Sequence, residues 1–153
     1  MSTLKAATGA QYVQEAHFDF TMADAMVDTS KNLTNFKATS GVFDVIPLPY
    51  GAQVVGGSFT VYTVSNDSGT AIIDIGDSVV DDRYVNTSID LKTLGSTNLD
   101  WVGTVRTYQG YKGLGEAIRV TIANNTGDAT TGSFRLSVQF IIDGRQTENL
   151  KTY

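Results

Sequence analysis

Cysteine is absent from this chain of 153 residues. Its absence excludes a disulfide framework, a thiol nucleophile and thiolate metal ligands, so stability has to come from packing or assembly. Histidine occurs once, at His17, which excludes a multi-histidine metal centre. No stretch approaches the roughly 18 consecutive apolar residues of a membrane-spanning helix. Basic clusters are missing as well, and the formal net charge is -5. Binding to nucleic acid needs a basic surface that displaces counterions from phosphates, so neither nucleic acid nor a membrane is an expected partner. The opening residues MSTLKAATGAQYVQEA hold no apolar signal core, which leads to the expectation of synthesis in a cytoplasm. Under that expectation the N-x-S/T triplets at Asn32, Asn66, Asn86 and Asn124 are chance products of a Thr/Asn/Ser-rich sequence.

What is present is a hydrophobic fraction of 41% against 18% charged residues, the balance of a globular domain with enough chain for one core. No repeat, low-complexity block or Pro-rich linker divides it. Alternation of apolar and polar residues is the dominant signal. SFRLSVQFII puts Phe134, Leu136, Val138, Phe140 and Ile142 on one face, and EAIRVTIA does the same with Ile118, Val120 and Ile122. The intervening NNTGDATTG is dense in turn residues, which predicts a long antiparallel hairpin. HFDFTM, SFTVYTV, FDVIPL and AIIDIG add short strands, and Gly56-Gly57 predicts a bulge or bend leading into a strand at Ser58. Helical signal is confined to NTSIDLKTLG, where Thr87 or Ser88 could cap, and Gly95 stop, a crossover of at most a couple of turns. The predicted fold class is all-β: an antiparallel β-sandwich, jelly-roll-like, with at most one short helix.

The periodicity stops near both ends. Residues 1–15 and 144–153 are polar and aperiodic, which predicts an N-terminal arm, a β-sandwich domain over 16–143 and a C-terminal arm. Segments of that composition bury too little surface to order alone and commonly order against a partner.

The densest chemistry lies in DIGDSVVDDRY, with four aspartates from Asp74 to Asp82. Such a group could hold a cation, act as paired acid and base, or form a turn. A calcium loop needs oxygen ligands at alternating positions and a closing Glu, and Val79-Val80 breaks that pattern. In an extended strand Asp74 points away from Ile73 and Ile75, and Asp77 and Asp81 are placed to start turns, so the carboxylates need not converge; a solvated turn is the simplest reading. His17 lies opposite Phe18 and Phe20 and is expected to be exposed. A serine triad would need it beside an activated serine, yet no G-x-S-x-G elbow occurs. GLGEAI lacks the third glycine and the following helix of a dinucleotide loop. The stretch WVGTVRTYQGYKG sets Trp101, Tyr108 and Tyr111 beside Arg106 and Lys112. Three readings stay open for it: a core plug followed by a strand, a sugar platform, or a protein interface.

The segment LPYGAQVVGGSFTVYTVSNDSGTAIIDIGDSVVDDRYVNTSIDLKTLG, about one third of the chain, resembles small structural proteins of tailed bacteriophages of the head decoration or cement type. The resemblance is carried by Pro47 or Pro49 with Gly51, the strand through Val61, the IDIGD strand, and Asp82-Arg83-Tyr84 leading into DLKTLG. The sequence departs from the family's Ala-rich wording at DSVV. The resemblance implies a non-enzymatic virion protein with no catalytic residue, cofactor or metal. It implies binding to the major capsid protein on the outer head surface and self-association, with a trimer favoured over a dimer. Interface candidates on the arms are Leu4, Lys5, Tyr12, Gln146, Asn149, Leu150 and Tyr153, with Trp101, Arg106, Tyr108 and Tyr111 as a second surface. Asp82, Arg83 and Tyr84 become a structural corner, with Arg83 bonded to a neighbouring carboxylate or carbonyl and Tyr84 covering the core edge. Two alternatives are a neck or tail component and, from a different class, a carbohydrate-binding module.

Overall fold

The computed structural model describes residues 10–49, 52–100, 111–112, 117–142 and 146–147. Its strands are β1 (Ala10–Gln11), β2 (Gln14–Thr21), β3 (Ala25–Val27), β4 (Leu33–Asn35), β5 (Gly41–Pro47), β6 (Ala52–Thr63), β7 (Ala71–Gly76), β8 (Ile89–Asp90), β9 (Gly95–Asn98), β10 (Tyr111–Lys112), β11 (Ala117–Asn125), β12 (Ser133–Ile142) and β13 (Gln146–Thr147). Among the described residues there is no helix.

Eight strands build two sheets that share one core. The first sheet runs β2-β12-β6-β9 and the second β5-β11-β7-β8, with β10 joining β6 on the edge that β9 also uses. Taken in chain order, the eight pair first with last (β2, β12), second with seventh (β5, β11), third with sixth (β6, β9) and fourth with fifth (β7, β8). A long hairpin rolled onto itself in this way is a jelly roll. The inward positions are those the alternation marks: Phe59, Leu136 and Val138 from one sheet meet Phe43, Ile75, Ile118 and Val120 from the other, all fully buried. Phe36, carried between the sheets by the β4–β5 connection, stacks 4.4 Å from both Phe20 and Phe43 and so joins the two layers. Burying each such ring contributes roughly 1.5–3 kcal/mol.

Three expectations need correction. β11 and β12 are not a hairpin: β11 lies between β5 and β7, and β12 between β2 and β6, in opposite sheets. Alternation reveals which face is apolar, and two strands facing each other across a core satisfy it as well as two lying side by side. Residues 87–95 are not helical, because Ile89 and Leu91 are both buried two positions apart with Asp90 outward, a strand spacing that pairs Ile89 with Ile73. The long strand does not begin at Ser58. β6 starts at Ala52 and crosses a register shift opposite Gln139 and Phe140 that leaves Val55 unpaired. Gly57 follows because a Cβ there would overlap the Ser137 carbonyl oxygen.

The antiparallel registers give the sandwich two distinct ends. At the loop end lie the connections 22–40, 64–70, 91–94 and 126–132. At the terminal end β2, β6 and β11 begin, and β5, β7, β9 and β12 finish.

Candidate functional site

The described segments outside the first and last core strands lie at one end of the sandwich. Beyond the β2–β12 ladder the chain pairs again, Gln11 with Gln146 and Ala10 with Thr147, so segments from the two expected arms run side by side as a short ribbon. Where the ribbon joins the body, Tyr12 and Val13 are 62% and 59% exposed. Of the arm candidates, Tyr12 is thus at the surface of this end and the backbone of Gln146 is in β13; Leu4, Lys5, Asn149, Leu150 and Tyr153 lie outside the described residues. Trp101, Arg106 and Tyr108 also lie outside them. The backbone of Tyr111 pairs with Gln53 at the same end of β6, and β9 finishes there just before Trp101.

The acidic stretch forms the corner of this end, and its pivot is Asp77. Gly76 closes β7 against a loop that folds straight back, since a Cβ at Gly76 would overlap the carbonyl oxygens of Val80 and Asp81. Asp77 then turns the chain: its Oδ1 accepts from the N–H groups of Val79 and Val80, both at 2.9 Å. Its Oδ2 pairs with Nε of Arg83, and the Asp77 side chain is 0% exposed. The solvated turn expected from the sequence is therefore a buried one. A carboxylate with two backbone donors and a guanidinium has its charge compensated in place, which is what burial of that charge requires. Tyr84 is 0% exposed, and its N–H donates to the Ile75 carbonyl at 3.0 Å, so the loop returns to the strand it left. Asp82 is half-buried, and its carbonyl accepts from Val85 N–H at 3.1 Å.

Asp74 lies beside this corner on the outer face of β7, paired in register with Thr121. Partial burial pushes its carboxyl above the usual aspartate range, the negative charges of Asp81 and Asp82 add to the rise, and a hydrogen bond from Ser88 opposes it. Among the described residues no three His, Asp or Glu side chains converge as a metal site would need.

His17 is exposed on the outer face of β2, and a serine does adjoin it: Ser137 Oγ is 3.2 Å from His17 Nδ1. The Ser137 hydroxyl has one proton and gives it to Glu15 at 2.6 Å, so it is not poised against the imidazole. Ser137 also sits mid-strand between His17 and Ser58, where ladder pairing occupies the backbone donors an oxyanion hole would use. Sequence reasoning missed this trio because its members come from strands paired across more than a hundred residues.

No family model and no curated protein matches the chain. Solved structures do match it. A chain of the cyanophage Pam1 capsid asymmetric unit is 19% identical, with 93% of this chain and 92% of that chain covered at a TM-score of 0.57. A chain of the acidic stable capsid structure of Helicobacter pylori bacteriophage KHP30 is 16% identical, with 86% of this chain and 94% of that chain covered at a TM-score of 0.49. The Pam1 likeness spans nearly the whole of both chains, so the two share a complete fold.

Proposed function

We propose that this chain is a structural protein of a bacteriophage capsid, and specifically a decoration or cement protein that binds the outer surface of the head shell and bridges its subunits. The observation that carries the reading is the pairing of residues 10–11 with 146–147 as a short ribbon at a single end of a jelly roll. Support for the virion setting comes from the full-length fold likeness to a chain of a phage capsid asymmetric unit. On this reading 16–143 is the sandwich domain, and arms 1–15 and 144–153 reach the major capsid protein. Leu4, Lys5, Tyr12, Gln146, Asn149, Leu150 and Tyr153 supply moderate contacts, and Trp101, Arg106, Tyr108 and Tyr111 supply a second set.

The mechanism is additive and non-enzymatic. Copies associate with one another, a trimer before a dimer, so that several weak arm contacts engage at once and gain avidity from effective concentration. Loss of one capsid contact then leaves the others closed, and the shell opens only when several fail together. Asp82, Arg83 and Tyr84 hold the corner from which this end is built.

The test is decoration of undecorated heads by the full chain and by chains lacking 1–13 or 146–153. The first cut stops short of β2 and the second beyond β12, so sheet content and cooperative melting should persist in both while occupancy falls sharply. Full occupancy by both shortened chains refutes the arm assignment. Copy number tests the location: on the order of hundreds per particle fits a shell protein, and about a dozen or fewer fits a neck or tail component instead.

A further inference from the structure

Near the loop end, on the outer face of the β2-β12-β6 sheet, lies a shallow cleft of about 310 Å³ that the capsid reading does not use. Its wall is Tyr62, which is 56% exposed. The position of that ring is built in: Ser133 pairs with Thr63 and Phe134 with Val61, so Tyr62 is the extra residue of a bulge in β6. Bulges of this kind re-aim a side chain and recur beside functional sites. Arg135 lies on the adjacent strand with its guanidinium carbon 6.0 Å from the Tyr62 ring centre. It is locked by a two-pronged bond to Asp19, 2.6 Å from Nε and 2.9 Å from Nη2. Across the cleft Asp24 is fixed by its own turn, Oδ2 accepting the Thr21 N–H at 2.8 Å. Phe20 and Phe134, whose rings are buried in the core, underlie the cleft between these outward side chains.

We propose that this cleft is a saccharide-binding site for a neutral pyranose. The groups present select that chemistry. Asp19 cancels the charge of Arg135, Asp24 adds a negative one, and the chain as a whole carries -5, so anionic ligands are repelled. The guanidinium occupies the place beside the aromatic ring that a cationic ligand would take. An uncharged ring studded with hydroxyls meets neither obstacle. Its C–H face stacks on the side of the Tyr62 ring away from the guanidinium, its hydroxyl protons go to carboxylate lone pairs, and its oxygens near the ring edge accept from Arg135. Of the five guanidinium N–H donors the Asp19 bonds engage two, which leaves three. The volume is near the lower bound of about 300 Å³ for small-molecule sites, which suits a single sugar unit. The site is independent of capsid binding and lies away from the terminal end, so both can be occupied together.

The test uses the full chain on immobilised glucose, galactose, mannose and N-acetylglucosamine and their oligomers, with sialylated and sulfated glycans as the anionic arm. Amide chemical shifts are followed during titration with the best binder. A neutral sugar should bind and shift residues 19–24, 60–63 and 133–135. Tyr62→Ala should weaken it about tenfold, a magnitude reasonable for loss of one aromatic stack. Tyr62→Phe should retain most of the affinity and Asp24→Asn should lose several-fold. The proposal is overturned if no neutral sugar binds, if anionic glycans bind better, or if the shifts map elsewhere. It is also overturned if Tyr62→Ala lowers head occupancy while no sugar binds, which would make the cleft a protein-docking face.

Discussion

At the loop end the connections are stitched to one another by side chains, whereas among the described residues of the terminal end the side-chain ties gather at the Asp77 corner and residues 10–11 pair with 146–147 through the backbone. Asn66 Oδ1 accepts from Thr130 and Thr131 N–H at 2.8 and 3.0 Å, and Asp67 accepts from Gly69 and Gly127 at 3.1 and 3.0 Å. Asn125, buried, accepts from Ile72 N–H at 2.9 Å and donates to the Phe36 carbonyl at 3.0 Å. Lys92 Nζ closes the set on the carbonyls of Asp67 and Gly69, both at 2.8 Å. Loop backbone satisfied within the molecule needs no partner. The contrast teaches that polar loop sequence closes the described loop end internally, through side chains that satisfy the backbone of neighbouring connections.

The largest effect should come from the corner itself. Asp77→Ala removes a fully buried carboxylate that serves two backbone donors and Arg83, and should cost about 3–5 kcal/mol in denaturant melts. Arg83→Ala should cost less, about 1–3 kcal/mol, because the Val79 and Val80 donors still hold Asp77. A smaller loss for Asp77→Ala than for Arg83→Ala would break the assignment of Asp77 as pivot.

Asp67→Ala is the matching change at the loop end. It deletes the acceptor for two backbone N–H groups and should cost about 1–3 kcal/mol. It should leave head binding unchanged once the protein is folded, and reduced occupancy at a temperature well below melting would blur the division between the ends.

Asp74→Asn should act in the opposite direction and weakly, raising stability at neutral pH by about 0.5 kcal/mol, or about 1–2 °C. The sign follows from the raised carboxyl of Asp74: the folded state binds its proton more tightly than the unfolded state does, so ionisation costs stability as pH rises from the unfolded value through the folded one. The gain from Asn should therefore be full at neutral pH and vanish on acidification to below the ordinary aspartate value. A gain that persists in acid would assign the effect to something other than titration. Smallest of all should be chelation, which should move the melting point by less than about 1 °C. A large drop that Asp77→Ala or Asp81→Ala abolishes would reveal a cation at the corner.

Much of the fold was legible because two central strands alternate strictly over their core-facing stretches: Phe134 to Ile142 and Ile118 to Ile122 read the same in sequence and in space. Partnership was not legible, since β11 and β12 carry the same pattern whether adjacent or opposed. The β3–β4 hairpin was missed because Val27 and Leu33, its cross-strand pair, are 53% and 73% exposed and leave no apolar face to detect. At the corner the run of aspartates marked the place but hid the partner. Arg83 reaches past its neighbours Asp81 and Asp82 to Asp77, a choice set by the backfolding of the loop over Gly76. The cleft at Tyr62 had no signal in the sequence, because its groups come from three strands far apart along the chain and meet only through the register of the sheet.

Hydrogen–deuterium exchange of the chain, free and bound to undecorated heads, tests most directly which end meets the shell. New protection confined to residues 10–14, 77–88 and 146–147, with 22–40, 64–70 and 126–132 unchanged, is the predicted result. Protection of the loop-end segments with none at the terminal end would contradict the account.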